Sequence, residues 1–494
     1  MGRMAVAAGR PVVSGMRPVN KCPEGLTMKR KFAIHGRDVP YAAGRKPLVI
    51  GPAPKLAVLL AAALCVTPAS SCGESLPMTW SEPIEVAHGK AVRGPWRMNE
   101  SVWHFVDDPT VALTDQGNAG VAWVDHSRKD ILFQVYAPGG KARFAEPMNI
   151  SRSPGIFSWL PRLIMTSGHP EEVYVLWQEI IFSGGTHGGE IFFARSADGG
   201  KTFSNPLNLS NTPAGAGKGR LTKDIWFNGS LDLARSADGI LYAAWTEYEG
   251  ALRFSRSTDR GGSFSEPVLI AGGRGEPPAR GPSLAVGPGG EVYFVWTVGE
   301  EPAADIHYAV STDQGRSFGD TRRIVESDGY SDAPKIAVDG RGTIHLVYAE
   351  GPAGPLQRYH VRYARSKEGD GTFQESKEIS GVHTKNFESV GFPYLDLDGR
   401  GNLYVLWELF PDEGFLSKGL GLTFSGDGGR TFASPVIVPG SLDPELGFNG
   451  SQQGLFMKKL AVNQAGDMAI VNSTFKPRES SRVWLIRCRG AAGG

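Results

Sequence analysis

Five apolar runs in this 494-residue chain end on an aromatic side chain with a carboxylate just behind it. They are Trp123-Val124-Asp125, Trp177-Gln178-Glu179, Trp245-Thr246-Glu247, Tyr348-Ala349-Glu350 and, shortened by one, Trp407-Glu408. Carboxylates accept hydrogen bonds from sugar hydroxyls or hold cations, and aromatic faces stack on sugar rings. If one mouth gathers Asp125, Glu179, Glu247, Glu350 and Glu408, it is a site for a cation or a polyhydroxyl ligand. The blander reading has each carboxylate solvating a loop as it leaves the core, with the aromatic packed inside. Glu247 or Glu350 is a candidate acid for a two-carboxylate glycosidase, which needs a pair at a defined separation. Arg162 and Lys335, each one residue after a Pro, bring positive charge to the same mouth or else satisfy backbone carbonyls at a strand start.

Other chemistries find less support. The ten His residues form no H-E-x-x-H pair, the Cys spacing excludes a zinc cluster, and no metal or cofactor is expected. Asp396 to Asn402 mimics the start of a calcium loop but lacks its closing Glu, and reads as a hairpin turn. Gly215-Ala216-Gly217-Lys218-Gly219 lacks the Ser or Thr that a phosphate loop carries after Lys, and reads as a long loop able to act as a lid. Lys and Arg total 52 against 51 Asp and Glu, so neither nucleic acid nor a membrane-binding face is indicated.

The elements that position these residues follow from a repeat. SADGGKTF from Ser196, STDRGGSF from Ser257, STDQGRSF from Ser311 and SGDGGRTF from Ser425 are copies of one phrase; SKEGDGTF from Ser366 is a degenerate copy, and Tyr136 to Phe144 a worn one. Asp followed by Gly suits a tight hairpin, and the closing Phe tucks under the turn as apolar cover. Short alternating runs flank each phrase, and two more strands precede it about a second turn, giving four strands per unit, the pattern of a propeller blade. Six units carry the phrase or its remnant. Met457 to Phe475 and Arg482 to Arg487 supply three further strands, and Trp80 to Val86 supplies a lone fourth. The spacing predicts an all-β, seven-bladed β-propeller whose N-terminal strand closes the last blade, with six blades as the alternative. The 65 Gly, 34 Pro and 11 Trp agree with dense turns and aromatic filling.

Residues 1–54 read as a disordered or mis-assigned leader. Residues 55–71 hold a signal-peptide core, Leu56 to Val66, and a cleavage region; 72–78 form a linker and 79–490 a single propeller domain. Ala69-Ser70-Ser71-Cys72 resembles a bacterial lipoprotein box with Ala where Leu or Val is usual. Export is expected, to the periplasm, the outer membrane as a lipoprotein, or the cell surface. Cys72 then carries a lipid or, unlipidated, bridges to Cys488.

The four sharp phrases resemble the Asp-box, or bacterial neuraminidase repeat, and Trp80 to Arg487 resembles the sialidase-like Asp-box propellers. That resemblance implies a β-propeller in which three arginines hold a substrate carboxylate, a Tyr supported by a Glu is the nucleophile and an Asp is the acid/base. Arg280-Gly281-Pro282-Ser283-Leu284 is similar to the segment bearing the first arginine, though it sits in the fourth unit and lacks the middle Ile. Tyr330-Ser331-Asp332 is similar to the nucleophile segment, two residues upstream of register. Equivalent places elsewhere hold Asp107, Trp159, Asn228, Asp332 and Gly391, so no arginine triad assembles.

In a propeller the loops entering the first strands share a face with those between second and third strands, and the Asp-boxes lie on the other. Ligand chemistry is expected on the first of these faces. Its carboxylates outnumber its arginines, which disfavours an anionic sugar. Two classes stand: a noncatalytic monomeric propeller binding a glycan or an envelope protein through Arg162, Glu179, Asp125, Asp332 and Glu408, and an exo-acting sialidase-like glycoside hydrolase using Arg280, Tyr330, Glu247 and Glu350. The incomplete catalytic set favours the first.

Overall fold

The computed structural model describes residues 78–490, except 96, 98, 182–188, 212–229, 248–249, 301–302, 326–328, 353–358, 367–371, 382–386, 388, 412–415, 443–447 and 450–457. The leader, the signal peptide, Cys72, Asn228 and Gly215 to Gly219 lie outside the described residues.

The described chain is an all-β propeller of antiparallel meanders. Four are separate four-stranded sheets, beginning with Val106–Leu113, Ser158–Met165, Leu231–Arg235 and Ser389–Leu397. Two more, beginning with Ala279–Val286 and Tyr330–Val338, share an eight-stranded sheet through one parallel pairing of Ala304 with Tyr330. In the remaining large sheet, Leu460–Val462, Met468–Lys476 and Ser480–Arg489 are joined by the N-terminal Ile84–Gly89, which runs antiparallel to Ser480–Arg489 with Ile84 opposite Leu485. The first strands pack side by side in chain order, and Leu460–Val462 returns to Val106–Leu113.

Second strands are buried on both faces because each sheet is pressed between neighbours. Their aromatic residues Trp123, Trp177, Trp245, Tyr348 and Trp407, with Trp296, are at most 1% exposed and fill the space between sheets.

Each sharp Asp-box closes on itself and reaches outward. In the first, Ser196 Oγ donates to Asp198 Oδ1 at 2.7 Å and accepts from Gly200 N at 2.9 Å, while Thr202 Oγ1 donates to Asp198 Oδ2 at 2.6 Å. The closing Phe does more than cover its own turn: it meets edge-on an aromatic ring of the preceding sheet's third strand. Phe203 lies 5.6 Å from Phe133, Phe264 4.9 Å from Phe193, Phe318 4.9 Å from Phe254 and Phe432 4.8 Å from Tyr363. The box therefore staples one sheet to the one before it.

The first strands share a second device. Asp108, Leu160, Gly281, Ala333 and Phe392 all precede a Pro and all have φ between 49° and 66°, at 51°, 56°, 65°, 54° and 52°. Each marks a bulge where the pairing register with the second strand shifts. Leu231–Arg235 has no Pro and pairs without a bulge.

Candidate functional site

One ring of side chains surrounds the axis, placed by the bulges on five first strands and by the unbulged Leu231–Arg235 on the sixth. Thr110, Arg162, Asp232, Ser283, Lys335 and Tyr394 pair with Ala122, Leu176, Ala244, Val295, Val347 and Leu406, in each case the residue before the second-strand aromatic. Their neighbourhood is electrostatically one unit. Burial pushes the Arg162 guanidinium below its ordinary value, against the pull of Asp232, Tyr394 and Asp108. Burial also pushes the Lys335 ammonium down to about 8, with Asp232 opposing and Arg162 reinforcing the change. The Tyr394 hydroxyl is driven well up, first by burial and then by Asp396 and Asp232.

Arg162, Asp232, Ser283, Lys335 and Tyr394 line a cavity of about 800 Å³. It runs along the first strands toward their C-terminal ends and reaches Asp339, Arg341, Asp398, Arg400 and the Asp-box segment Gly426 to Gly428 with Arg430. It thus opens on the Asp-box side, where ligand chemistry was not expected. Asp339 and Asp398 at that mouth are turn residues: Asp339 Oδ1 accepts from Thr343 N and Asp398 Oδ1 from Asn402 N, at 2.9 and 3.0 Å.

On the opposite rim, Arg280, Tyr330 and Asp332 converge from two adjacent meanders. Arg280 Nη2 donates to the Tyr330 hydroxyl and lies 3.6 Å from Asp332 Oδ2, while Nη1 donates to the carbonyl of Gly299 at 2.5 Å. Arg280 is 3% exposed and Tyr330 fully buried. Thr297 Oγ1 donates to Asp332 Oδ1 at 3.0 Å. The guanidinium and the carboxylate are thus engaged within the scaffold. Arg162 lines the axial cavity and Arg280 is not among that cavity's lining residues.

The five carboxylates are individually satisfied. Glu247 pairs with Arg253 at 2.9 Å, Glu350 with Arg362 at 3.2 Å and Glu408 with buried Lys459. Asp125 accepts from Ser127 N at 2.9 Å and lies 3.5 Å from Arg128. Glu179 accepts from Trp177 Nε1 at 3.0 Å and from Ser153, and burial pushes its carboxyl up. The expected surplus of negative charge on that rim is largely neutralised in place by cations and donors that follow no shared sequence phrase.

One register differs from expectation. The residue opposite Thr246 is Ser230, through its carbonyl at 3.1 Å, because the unbulged Leu231–Arg235 lacks the extra residue assumed in placing Asn228. Asp232, Tyr394 and Lys458 were not singled out, and Asp396, read as the start of a turn, lies within the strand Ser389–Leu397. The signal for Tyr394 was available, since it follows a Pro as Arg162 and Lys335 do; Asp232 has no Pro to mark it.

No protein-family model and no curated protein matches the chain. Among solved structures, a PL25-family ulvan lyase, a polysaccharide lyase, aligns with a TM-score of 0.53 at 13% identity, covering 83% of this chain and 96% of that one. A PL25 ulvan lyase bound to -[GlcA(1-4)Rha3S]- aligns with a TM-score of 0.53 at 12% identity, covering 84% and 97%. A leech intramolecular trans-sialidase gives 0.43 at 11% identity over 62% of this chain and 65% of its own. At these identities the likeness is one of fold, and the fold is the β-propeller.

Proposed function

We propose that this chain is an exported β-propeller that binds an extracytoplasmic glycan without a complete sialidase catalytic set. The observation that carries the reading is the engagement of Arg280. A guanidinium already donating to Tyr330 and Gly299 and facing Asp332 is poorly placed to take a substrate carboxylate, and a fully buried Tyr330 is poorly placed to attack. Glu247 and Glu350, the candidate acids, are each engaged in an ion pair with an arginine of the neighbouring third strand. The fold likeness to polysaccharide-active propellers supports a glycan as ligand.

The ring is read as seven blades: the six complete meanders, and a seventh in which Ile84–Gly89 serves as outer strand to the final three. Residues 79–490 form the one domain. Export and anchoring rest on the apolar run Leu56 to Val66 and on Cys72. Cys72 carries a lipid, or else bridges to Cys488, which is buried and pairs with Trp80 of the N-terminal strand; the mass of the mature N-terminus distinguishes the two.

The second reading, an exo-acting glycoside hydrolase, is favoured by one observation only, the meeting of Arg280, Tyr330 and Asp332. A panel of sialosides and neutral aryl glycosides, run beside a glycan-binding array, separates the readings. Turnover that Arg280→Ala and Tyr330→Phe abolish would establish the hydrolase; binding without turnover supports the proposal.

A further inference from the structure

We propose that the inner end of the axial cavity is a second binding site, distinct from the rim, that takes an oxoanion: the carboxylate or sulfate group of an acidic saccharide, held by Arg162 and Lys335. The cavity is a polar space at the propeller axis that opens on the Asp-box side, large enough at about 800 Å³ for a mono- or disaccharide. Its inner lining includes the cations Arg162, Lys335 and Lys458 and the carboxylates Asp232 and Asp396.

The ligand's sign follows from the balance of charge among these groups and from which of them the scaffold already engages. Asp232 Oδ2 accepts from Leu284 N at 2.9 Å. Asp396 accepts from Leu397 N and Val462 N, both at 2.9 Å, and burial raises its carboxyl toward the neutral form. Lys335 is different: it is 5% exposed, lines the cavity, and its ammonium makes no hydrogen bond or ion pair among the described residues. An ammonium in the cavity wall with no scaffold acceptor among the described residues has its donors open to a ligand that supplies negatively charged acceptor oxygens. Arg162, in the same ring and electrically coupled to Lys335, adds planar donors suited to carboxylate or sulfate oxygens. Tyr394 offers an aromatic face, and Lys458 lies 6.0 Å over its ring. The inner lining thus sets the cations Arg162, Lys335 and Lys458 against Asp232 and an Asp396 whose carboxyl burial raises, a balance that favours an anion over a metal ion or a cationic ligand.

The test uses the full-length protein and its own Lys335 as reporter. Acetylation of Lys335 by an N-hydroxysuccinimide ester at pH 8 is followed by mass spectrometry while sodium sulfate, sodium D-glucuronate or D-glucose is titrated at constant ionic strength in chloride. Saturable protection of at least tenfold by sulfate or by glucuronate, with glucose and chloride without effect, is the expected result. Protection by glucuronate alone identifies a carboxylate ligand; protection by sulfate alone identifies a sulfate ester or the free ion. Equal protection by glucose, or no saturable protection by either anion, overturns the proposal. Calorimetry on Lys335→Met adds a second readout, with binding heat lost and the melting transition retained. Should that variant not fold, protection in the wild-type chain still decides. A glycan array with no binder would remove the rim reading and leave a positive sulfate titration intact.

Discussion

At the scale of single residues, the molecule places ionisable groups where burial acts on them strongly. His126 is the clearest case outside the axis. It is 1% exposed and packed among Trp103, Phe105, Phe157 and Trp159, with the Phe105 ring centroid 3.9 Å away. Neither ring nitrogen has a hydrogen-bond partner among the described residues. Burial, and then the positive charge of Arg93, hold its pKa well below the ordinary value of 6.5. The folded state therefore favours neutral imidazole, while the unfolded chain takes up a proton below about pH 6.5. Stability from this residue is present above that pH and is lost as the pH falls below it. Urea unfolding between pH 7.5 and 5 should show a falling midpoint, and His126→Leu should flatten that fall. An unchanged slope in the variant would assign the acid sensitivity elsewhere.

Between elements, the Asp-box acts as a staple between sheets. Phe264 meets Phe193 edge-on, and the box glycine Gly261, at φ 81°, leaves no room for a Cβ, which would stand 2.5 Å from the same ring. Phe264→Ala should cost about 2 kcal/mol in unfolding free energy, below the value for a fully buried Phe because Phe264 is only half-buried. A loss under about 0.5 kcal/mol would mean the ring contributes little to sheet-to-sheet packing. The repeated phrase made the hairpins, the strand count per unit and the propeller legible, because Asp, Gly and Ser act locally on their own turn. The destination of the Phe was not legible, since it depends on a ring about 70 residues upstream, as Phe203 on Phe133 does. Nor were the bulges. A Pro in a strand signals irregularity, but the left-handed backbone at Leu160 or Phe392 is imposed by packing around the axis, against the preference of those residue types. Those bulges carry Arg162, Lys335 and Tyr394 into one ring. The rim carboxylates were found as residues but not as pairs, because Arg253 and Arg362 come from the third strands and follow no common spacing from Glu247 and Glu350.

For the whole molecule, the decisive contact joins the first and last strands of the described propeller. Ile84–Gly89 covers the outer edge of Ser480–Arg489, and without it that strand presents a row of unpaired backbone groups. Deleting residues 84–89 should lower the unfolding midpoint and produce aggregation detectable by light scattering. A deletion variant that stays monomeric and equally stable would contradict closure by this strand. The closed ring presents two faces, a rim whose charges are satisfied within the scaffold and an axial cavity reached from the Asp-box side and lined by Arg162, Lys335 and Lys458. Glycan binding without sialoside cleavage, as proposed for this chain, is tested by one paired measurement on the purified protein. A glycan-binding array is read alongside product release from the bound glycans and from a sialoside panel. Saturable binding to at least one glycan with no product formed is the predicted result; sialoside turnover abolished by Arg280→Ala, or the absence of any bound glycan, would contradict it.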